Sequence, residues 1–295
     1  MTQFVLYCKS YSVDLRRLVR LAQSVQQFNR EKIAFHVSVP ASELALFSEH
    51  LQGLDVALHA DEDILRAAGI TDLSRIQQLH GAVSQQIVKS SFWQFNPADI
   101  YLCLDSDAVF LRPFGIADFV HPDGTPYTVL DEAHELLDDA RSQGRQRIVD
   151  AFYREARQFQ TLFEREGRTY SFGPFPLVWH RAVWQSLHTQ FLQPRGMSFT
   201  DAIVMAPVES RWYGEALLKY GAVRLLPCQA LFKVYHYAWQ FDADQRRGVQ
   251  SESLADSYAG AIYQSAWERN MDWPKEGGNL LSLLGRRLRR RLGRI

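Results

Sequence analysis

The stretch Ile100 to Leu111, IYLCLDSDAVFL, constrains the fold of this chain more than any other part of it. Five uncharged residues, Ile100 to Leu104, follow Asn96-Pro97 and run straight into Asp105-Ser106-Asp107. A continuous apolar run of that length, entered from a turn signal, predicts a strand buried on both faces, as in a parallel sheet. The carboxyl end of such a strand is where open α/β sheets receive their ligands. Two unpaired carboxylates there cannot be core filler, because burying bare charges costs several kcal/mol. Oxygen ligands so placed suit a hard cation such as Mg²⁺ or Mn²⁺, which typically bridges one or two carboxylates to substrate phosphates. An exposed acidic turn is the alternative.

The preceding chain agrees with a parallel sheet. Phe4 to Cys8 is a first buried strand, and Asp14 opens a helix with apolar positions Leu15, Leu18, Ala22 and Val25 on one stripe. Ile33 to Val39 is a second strand, stopped by Pro40, and a helix from Ser42 to about His50 leads to a third at Val56 to His59. A helix over about 73–95, with Ile76, Leu79, Val83 and Ile87 on one face, delivers the chain to the Ile100 strand. Strands alternating with helices predict an α/β fold with a mostly parallel, doubly wound sheet flanked by helices.

Past the acidic turn, His121 to Pro126 reads as a loop and residues 131–168 as polar helix, with Ile148, Phe152, Ala156, Phe159 and Phe163 at spacings of four and three. Tyr170 to Trp179, YSFGPFPLVW, reads as a rigid aromatic loop, because it holds two prolines and a glycine. A helix follows from Arg181, another opens at Glu209, and Val223 to Leu226 and Leu231 to Tyr237 read as late strands. At 295 residues the chain can bury a sizeable core. Lys+Arg and Asp+Glu are equal at 33 each, so no global field favours nucleic acid. Cys8, Cys103 and Cys228 are scattered, which argues for reduced thiols and a cytoplasmic setting rather than a disulfide or zinc framework. MTQFVLYCKS lacks a basic region followed by a long apolar segment, so no signal peptide is expected, and no run reaches the length of a spanning helix.

The strand, the DSD motif and its position about a third of the way along resemble nucleotide-sugar glycosyltransferases of the GT-A fold, particularly bacterial enzymes that build cell-surface polysaccharide. The resemblance spans about residues 3–245 in order of elements, while its sharp motif is the DSD alone. It implies a Rossmann-like GT-A domain over 1–276, with a nucleotide-sugar-binding half (1–115) and a smaller acceptor-side half (116–276). It implies a nucleoside-diphosphate sugar donor, UDP-sugar favoured, a glycan or lipid-linked acceptor, and Mn²⁺ or Mg²⁺ as cofactor. Asp107 would be the principal metal ligand and Asp105 would reach the ribose or the metal. His236 would be a third ligand, as late histidines are in several families of this fold, though the surrounding residues match no full histidine motif. Tyr11 would stack on the base, Asp61 would hydrogen-bond it, and Lys89 would approach the donor from the helix before the DSD. Glu209 would be the general base, with Asp201 the alternative and Glu215 a further acidic residue of the acceptor region. The E-x-x-x-Y-G pattern of Glu209 to Gly214 resembles bacterial relatives, and the loop Phe172 to Trp179 with His180 would form the acceptor wall.

Two other function classes compete. An apolar strand followed by D-x-D-x-V also resembles the nucleophile motif of haloacid-dehalogenase-like phosphatases, with Asp105 as nucleophile. That motif normally follows a domain's first strand and is soon followed by Gly-Thr, whereas three strands precede this one and Phe110-Leu111-Arg112-Pro113 comes after it. A non-catalytic nucleotide-sugar-binding scaffold is the third. The last segment, 277–295, carries Leu281, Leu284, Leu288, Leu292 and Ile295 on one helical stripe bordered by six arginines. That pattern predicts a helix lying on an anionic membrane surface, hence a peripheral enzyme on the inner face of the cytoplasmic membrane; a solvated terminal helix, or one that packs its leucines back on the domain, is the alternative.

Overall fold

The structure, a computed structural model, describes residues 3–264. Its centre is β1 (Phe4–Lys9), whose side chains alternate between two cores. Val5 and Tyr7 enter one, while Phe4, Leu6 and Cys8 enter the other. Helix α1 (Leu15–Phe28) follows and buries Leu18, Leu21, Ala22 and Val25 on the second core. Asp14 precedes this helix without a side-chain cap; its carboxylate pairs instead with Arg17, one turn on. Strand β2 (Phe35–Val39), helix α2 (Leu44–His50), strand β3 (Ala57–Ala60) and helix α3 (Asp61–Ala67) come next. The single helix expected over 73–95 is two, α4 (Leu73–Gln77) and α5 (Gly81–Phe95). The break falls where the His80 side chain accepts the N–H of Ala82 and starts α5 afresh.

Strand β4 (Ile100–Leu104) is buried at every position, as its composition predicts. It lies parallel to β1, which lies parallel to β2, which lies parallel to β3. The tight turn of the DSD leads into β5 (Ala108–Phe110), then β6 (Tyr127–Val129). Helices α6 (His134–Ser142) and α7 (Gln146–Leu162) divide the polar helical region at Gly144, which takes φ +64°. The aromatic loop ends at Pro176, earlier than expected, because Leu177–His180 forms β7. This strand runs antiparallel beside β4 and completes the sheet in the order β3-β2-β1-β4-β7. Helices α8 (Arg181–Ser186), α9 (Phe199–Met205) and α10 (Glu209–Tyr220) then cover the first core.

The last described elements are β8 (Leu226–Cys228), β9 (Phe232–Tyr235), α11 (Ala238–Arg246), α12 (Ser251–Ala255) and β10 (Gly260–Tyr263). Strands β5, β10 and β9 make a second, three-stranded sheet, and β6 pairs with β8. His236 falls one residue past β9 rather than within a strand. The fold is thus α/β, with a mostly parallel central sheet flanked by helices on both faces. Cys8, Cys103 and Cys228 are free thiols. No helix among the described residues is long and apolar enough to cross a membrane. The amphipathic tail expected at 277–295 lies outside the described residues.

Candidate functional site

Strand order places the site before any side chain is considered. From β1 the chain steps outward to β2 and β3 on one side, then returns to lay β4 on the other. The carboxyl ends of β1 and β4 therefore flank the point where the order reverses, the crevice in which open α/β sheets bind ligands. The register that sets Cys8 opposite Leu104 brings Lys9, at the tip of β1, to the same edge as Asp105, at the tip of β4.

A buried cluster of charges stands at that edge. The Lys89 side chain on α5 is only 3% exposed, with Nζ 2.5 Å from Asp105 Oδ1 and 3.5 Å from Glu209 Oε1. Burial works against the ammonium charge, but the Asp105 and Glu209 carboxylates more than offset it and lift the Lys89 pKa well above its usual value. Burial also raises the Glu209 carboxyl, opposed by Lys89 and reinforced by Asp105. A carboxyl so raised binds a proton more readily than an exposed one, as a general base should. Its position is fixed from two sides. Glu209 begins α10, and its backbone N–H donates to Gln86 Oε1 on α5 at 3.1 Å, while Gln86 Nε2 donates to Ala82 O at 2.9 Å. The ring of Phe175, from the aromatic loop, lies 4.5 Å from Lys89 Nζ.

Asp107 is buried, and its backbone carbonyl accepts from Tyr263 N–H of β10 at 3.2 Å. Asp61 opens α3 and is also buried; its Oδ2 lies 3.3 Å from Lys9 Nζ. Burial raises the Asp61 carboxyl against the pull of Lys9, and its Oδ1 has no hydrogen-bond partner among the described residues. Lys9 and Asp61 line a cavity of about 340 Å³ whose walls include Leu65, Leu73, Ile76 and Val88. A flat, partly polar ring system suits that lining. Tyr11 lies just past β1, its ring centroid 5.6 Å from Lys9 Nζ.

A second cavity, of about 440 Å³, is lined by Asp131, Glu135, Pro174, Lys233, His236 and Tyr258 among others. His236 Nδ1 is 2.7 Å from Gln264 Oε1, and burial lowers its pKa, so the imidazole is neutral near pH 7. Gln264 directly follows Tyr263, the partner of the Asp107 carbonyl. Even so, no three His, Cys, Asp or Glu side chains among the described residues are grouped as around one ion.

The structure thus brings Lys89, Asp105 and Glu209 into contact and sets Asp107 in the same turn. Asp201 is engaged elsewhere: its carboxylate caps α9 through Ser198 N–H at 3.0 Å and pairs with Arg75 at 2.9 Å. Glu215 forms a buried ion pair with Arg165. His180 caps α8, its Nδ1 accepting from Ala182 N–H at 3.0 Å, and keeps partial exposure beside the aromatic loop. Within that loop Phe172 and Trp179 are buried, and Tyr170 and Phe175 keep partial exposure. Phe172 fits because Gly214 of α10 has no side chain; a Cβ there would stand 2.1 Å from the ring. Lys9 and Gln86 escape a reading of the sequence, although a lysine closing a buried strand is itself a signal at a strand tip.

Among solved structures, the chain is similar to mouse xyloside xylosyltransferase 1 in its apo form, at 8% identity, covering 90% of this chain and 98% of that one, with a TM-score of 0.49. It is also similar to the galactosyltransferase LgtC in complex with donor and acceptor sugar analogs, at 14% identity, covering 88% of this chain and 86% of that one, with a TM-score of 0.48. At these scores neither likeness carries an argument about this chain. No curated protein matches it. Residues 4–270 match one family model throughout, and the chain belongs to that family, DUF6492, described as a family of unknown function.

Proposed function

We propose that this protein moves a sugar from a nucleoside-diphosphate sugar, with UDP-sugar the favoured donor, to a glycan or lipid-linked acceptor in cell-surface polysaccharide synthesis. The observation that carries the proposal is the buried Lys89–Asp105–Glu209 cluster at the crevice between β1 and β4. In this reading the nucleoside occupies the cavity of Lys9 and Asp61, with Tyr11 against the base, and the diphosphate lies across the strand tips. Asp61 Oδ1 is the acceptor that a base N–H or a ribose hydroxyl would satisfy.

The donor set fits a divalent cation. Asp105 and Asp107 offer hard oxygen ligands from a single turn, and diphosphate oxygens and water complete such sites without a protein cage. These two carboxylates would hold Mn²⁺ or Mg²⁺, while His236, which is not grouped with them among the described residues, is left out of the ligand set. Bound there, the ion would neutralise charge on the departing nucleoside diphosphate. Lys89 contributes its own positive charge to the same region and keeps Asp105 oriented. Glu209 takes the proton from the acceptor hydroxyl as that oxygen attacks the anomeric carbon. Asp201 is spent on Ser198 and Arg75, which leaves Glu209 as the base in this account. The acceptor would enter by the cavity of Asp131, Glu135 and His236, past Phe175. Membrane attachment through 277–295 belongs to the same proposal.

A thermal-shift screen with Mn²⁺ and a panel of nucleoside diphosphates tests it, because a ligand bound only by the folded state raises stability by mass action. Stabilisation by UDP or GDP that requires the metal is the expected result. A panel in which no nucleotide shifts the transition, with or without metal, overturns the proposal. Metal-dependent release of phosphate from a phosphomonoester would favour the phosphatase reading with Asp105 as nucleophile.

A further inference from the structure

The helices α6 and α7 form a hairpin with a small core of its own, built from Ala133, Leu137, Ala140 and Val149. Along α7 and the end of α6 runs an open groove of about 570 Å³ lined by Arg141, Gln146, Asp150, Tyr153, Arg154 and Arg157. The α7 members recur at spacings of three and four, so they share one face of the helix. Arg154 and Arg157 are exposed, and neither has an ion-pair partner among the described residues. Arg141 pairs only with Asp138, itself 74% exposed. The lone carboxylate of the groove, Asp150, accepts from Gln146 Nε2 at 2.9 Å. In a chain with formal net charge +0, three arginines against the single carboxylate of the groove make a local cationic excess.

We propose that this groove binds an acidic saccharide chain, one whose sugar units carry carboxylate or sulfate groups. The planar guanidinium forks of Arg154 and Arg157 match such groups in a bidentate geometry. Tyr153, half-buried, offers a ring face to a sugar, and Gln146 and Asp150 offer hydrogen-bonding partners to hydroxyls. The arginines on its rim would meet nothing of opposite charge in an acyl chain or an apolar peptide. A flat anionic leaflet would meet the arginines but not enter the groove. This inference does not depend on chemistry at Asp105, and its test requires no turnover.

The test is calorimetric titration of the full chain with hexagalacturonate, against maltohexaose as the neutral counterpart and phosphatidylglycerol vesicles as the flat anionic surface. Hexagalacturonate should bind, more weakly as salt rises, and maltohexaose should not. The double variant Arg154→Gln/Arg157→Gln, which alters exposed positions only, should bind it at least about tenfold more weakly, as expected when charge-assisted hydrogen bonds are lost. The variant Arg224→Gln/Arg247→Gln removes the same charge from other surfaces and should bind as the parent does. Equal weakening by the two pairs would reduce the effect to net charge and overturn the inference. So would capture by vesicles without binding of hexagalacturonate, or no binding to either.

Discussion

Replacing Lys89 by methionine keeps the length and apolar stem of the side chain and removes only its charge. The lost ammonium is 2.5 Å from Asp105 and 3.5 Å from Glu209, on a side chain 3% exposed. Deleting one partner of a buried ion pair costs about 3–5 kcal/mol when the remaining charge has no escape. Here there are two escapes. The Asp105 side chain keeps 31% exposure, so water reaches it, and Glu209 can take up a proton. The expected loss for Lys89→Met is therefore roughly 2–3 kcal/mol at pH 8, a fall in Tm of about 3–5 °C for a chain of this size. Its pH dependence separates lost charge from lost packing. The Lys89 pKa is raised in the folded protein, so its contribution is complete below the unfolded value, about 10.4, and adds no slope between pH 5 and 9. In the variant, burial raises Glu209 with no amine to oppose it. A carboxyl raised on folding favours the folded state at low pH and loses that contribution as pH rises through the folded value. Lys89→Met should thus lie closer to the parent at pH 5 than at pH 8 in urea titrations followed by circular dichroism. Adding Glu209→Gln should recover about 1 kcal/mol or more as a coupling energy. A loss under about 0.5 kcal/mol, or one equal at both pH values, would refute the claim that the ammonium neutralises these carboxylates.

Asp105→Ala and Asp107→Ala should each abolish metal-dependent transfer, and the metal-dependent thermal shift with UDP, while leaving the circular dichroism spectrum unchanged; full turnover of both in EDTA would sink the metal role. Glu209→Gln should slow transfer by about 10²–10⁴-fold with the donor-induced thermal shift intact, and a defect confined to donor binding would remove Glu209 as the base. Gly214→Ala should destabilise the protein by about 1–3 kcal/mol, because the new Cβ would stand 2.1 Å from the buried Phe172 ring; an unchanged Tm would show that the aromatic loop yields freely. Burial, and then the neighbouring His59, push the His36 pKa down to about 4. Between that value and the unfolded one, about 6.5, the unfolded chain binds more protons, so stability should fall as pH falls through this window. His36→Gln should flatten that slope in urea titrations, and an unaltered slope would assign it to other groups.

The residues that the sequence locates well are those whose signal is local. The run Ile100 to Leu104 can only be a doubly buried strand, and acidic residues closing such a run lie at a strand tip in any parallel sheet. Lys89 follows from being on the helix that feeds this strand. Glu209 is legible as an acidic helix start but not as Lys89's partner, since the two lie 120 residues apart. Strands β6 and β10 are missed because three or four residues are too few to show a period, and their partners, β8, β5 and β9, lie far away in sequence. The strand Leu177–His180 is hidden by the two prolines before it, which make the whole segment look irregular.

Asp201 and Glu209 show how a residue's surroundings decide what a carboxylate can do. Both are acidic residues at helix starts in the acceptor-side half, and composition does not separate them. Ser198-Phe199-Thr200-Asp201 does carry a local signal, the S-x-x-D spacing of a capping box. The structure shows that box closed, with Asp201 accepting from the Ser198 hydroxyl at 2.7 Å, from Ser198 N–H at 3.0 Å and from Arg75 at 2.9 Å, and these contacts, the hydroxyl first, lower the Asp201 pKa. A lowered pKa stabilises the carboxylate and weakens it as a base. Glu209 has no Ser, Thr, Asp or Asn before it, because Val208 holds the cap position and Gln86 of another helix supplies the missing acceptor. Its carboxylate is thereby left for Lys89 instead of for its own backbone. The helix start that does not cap itself is the one whose acid is available for chemistry.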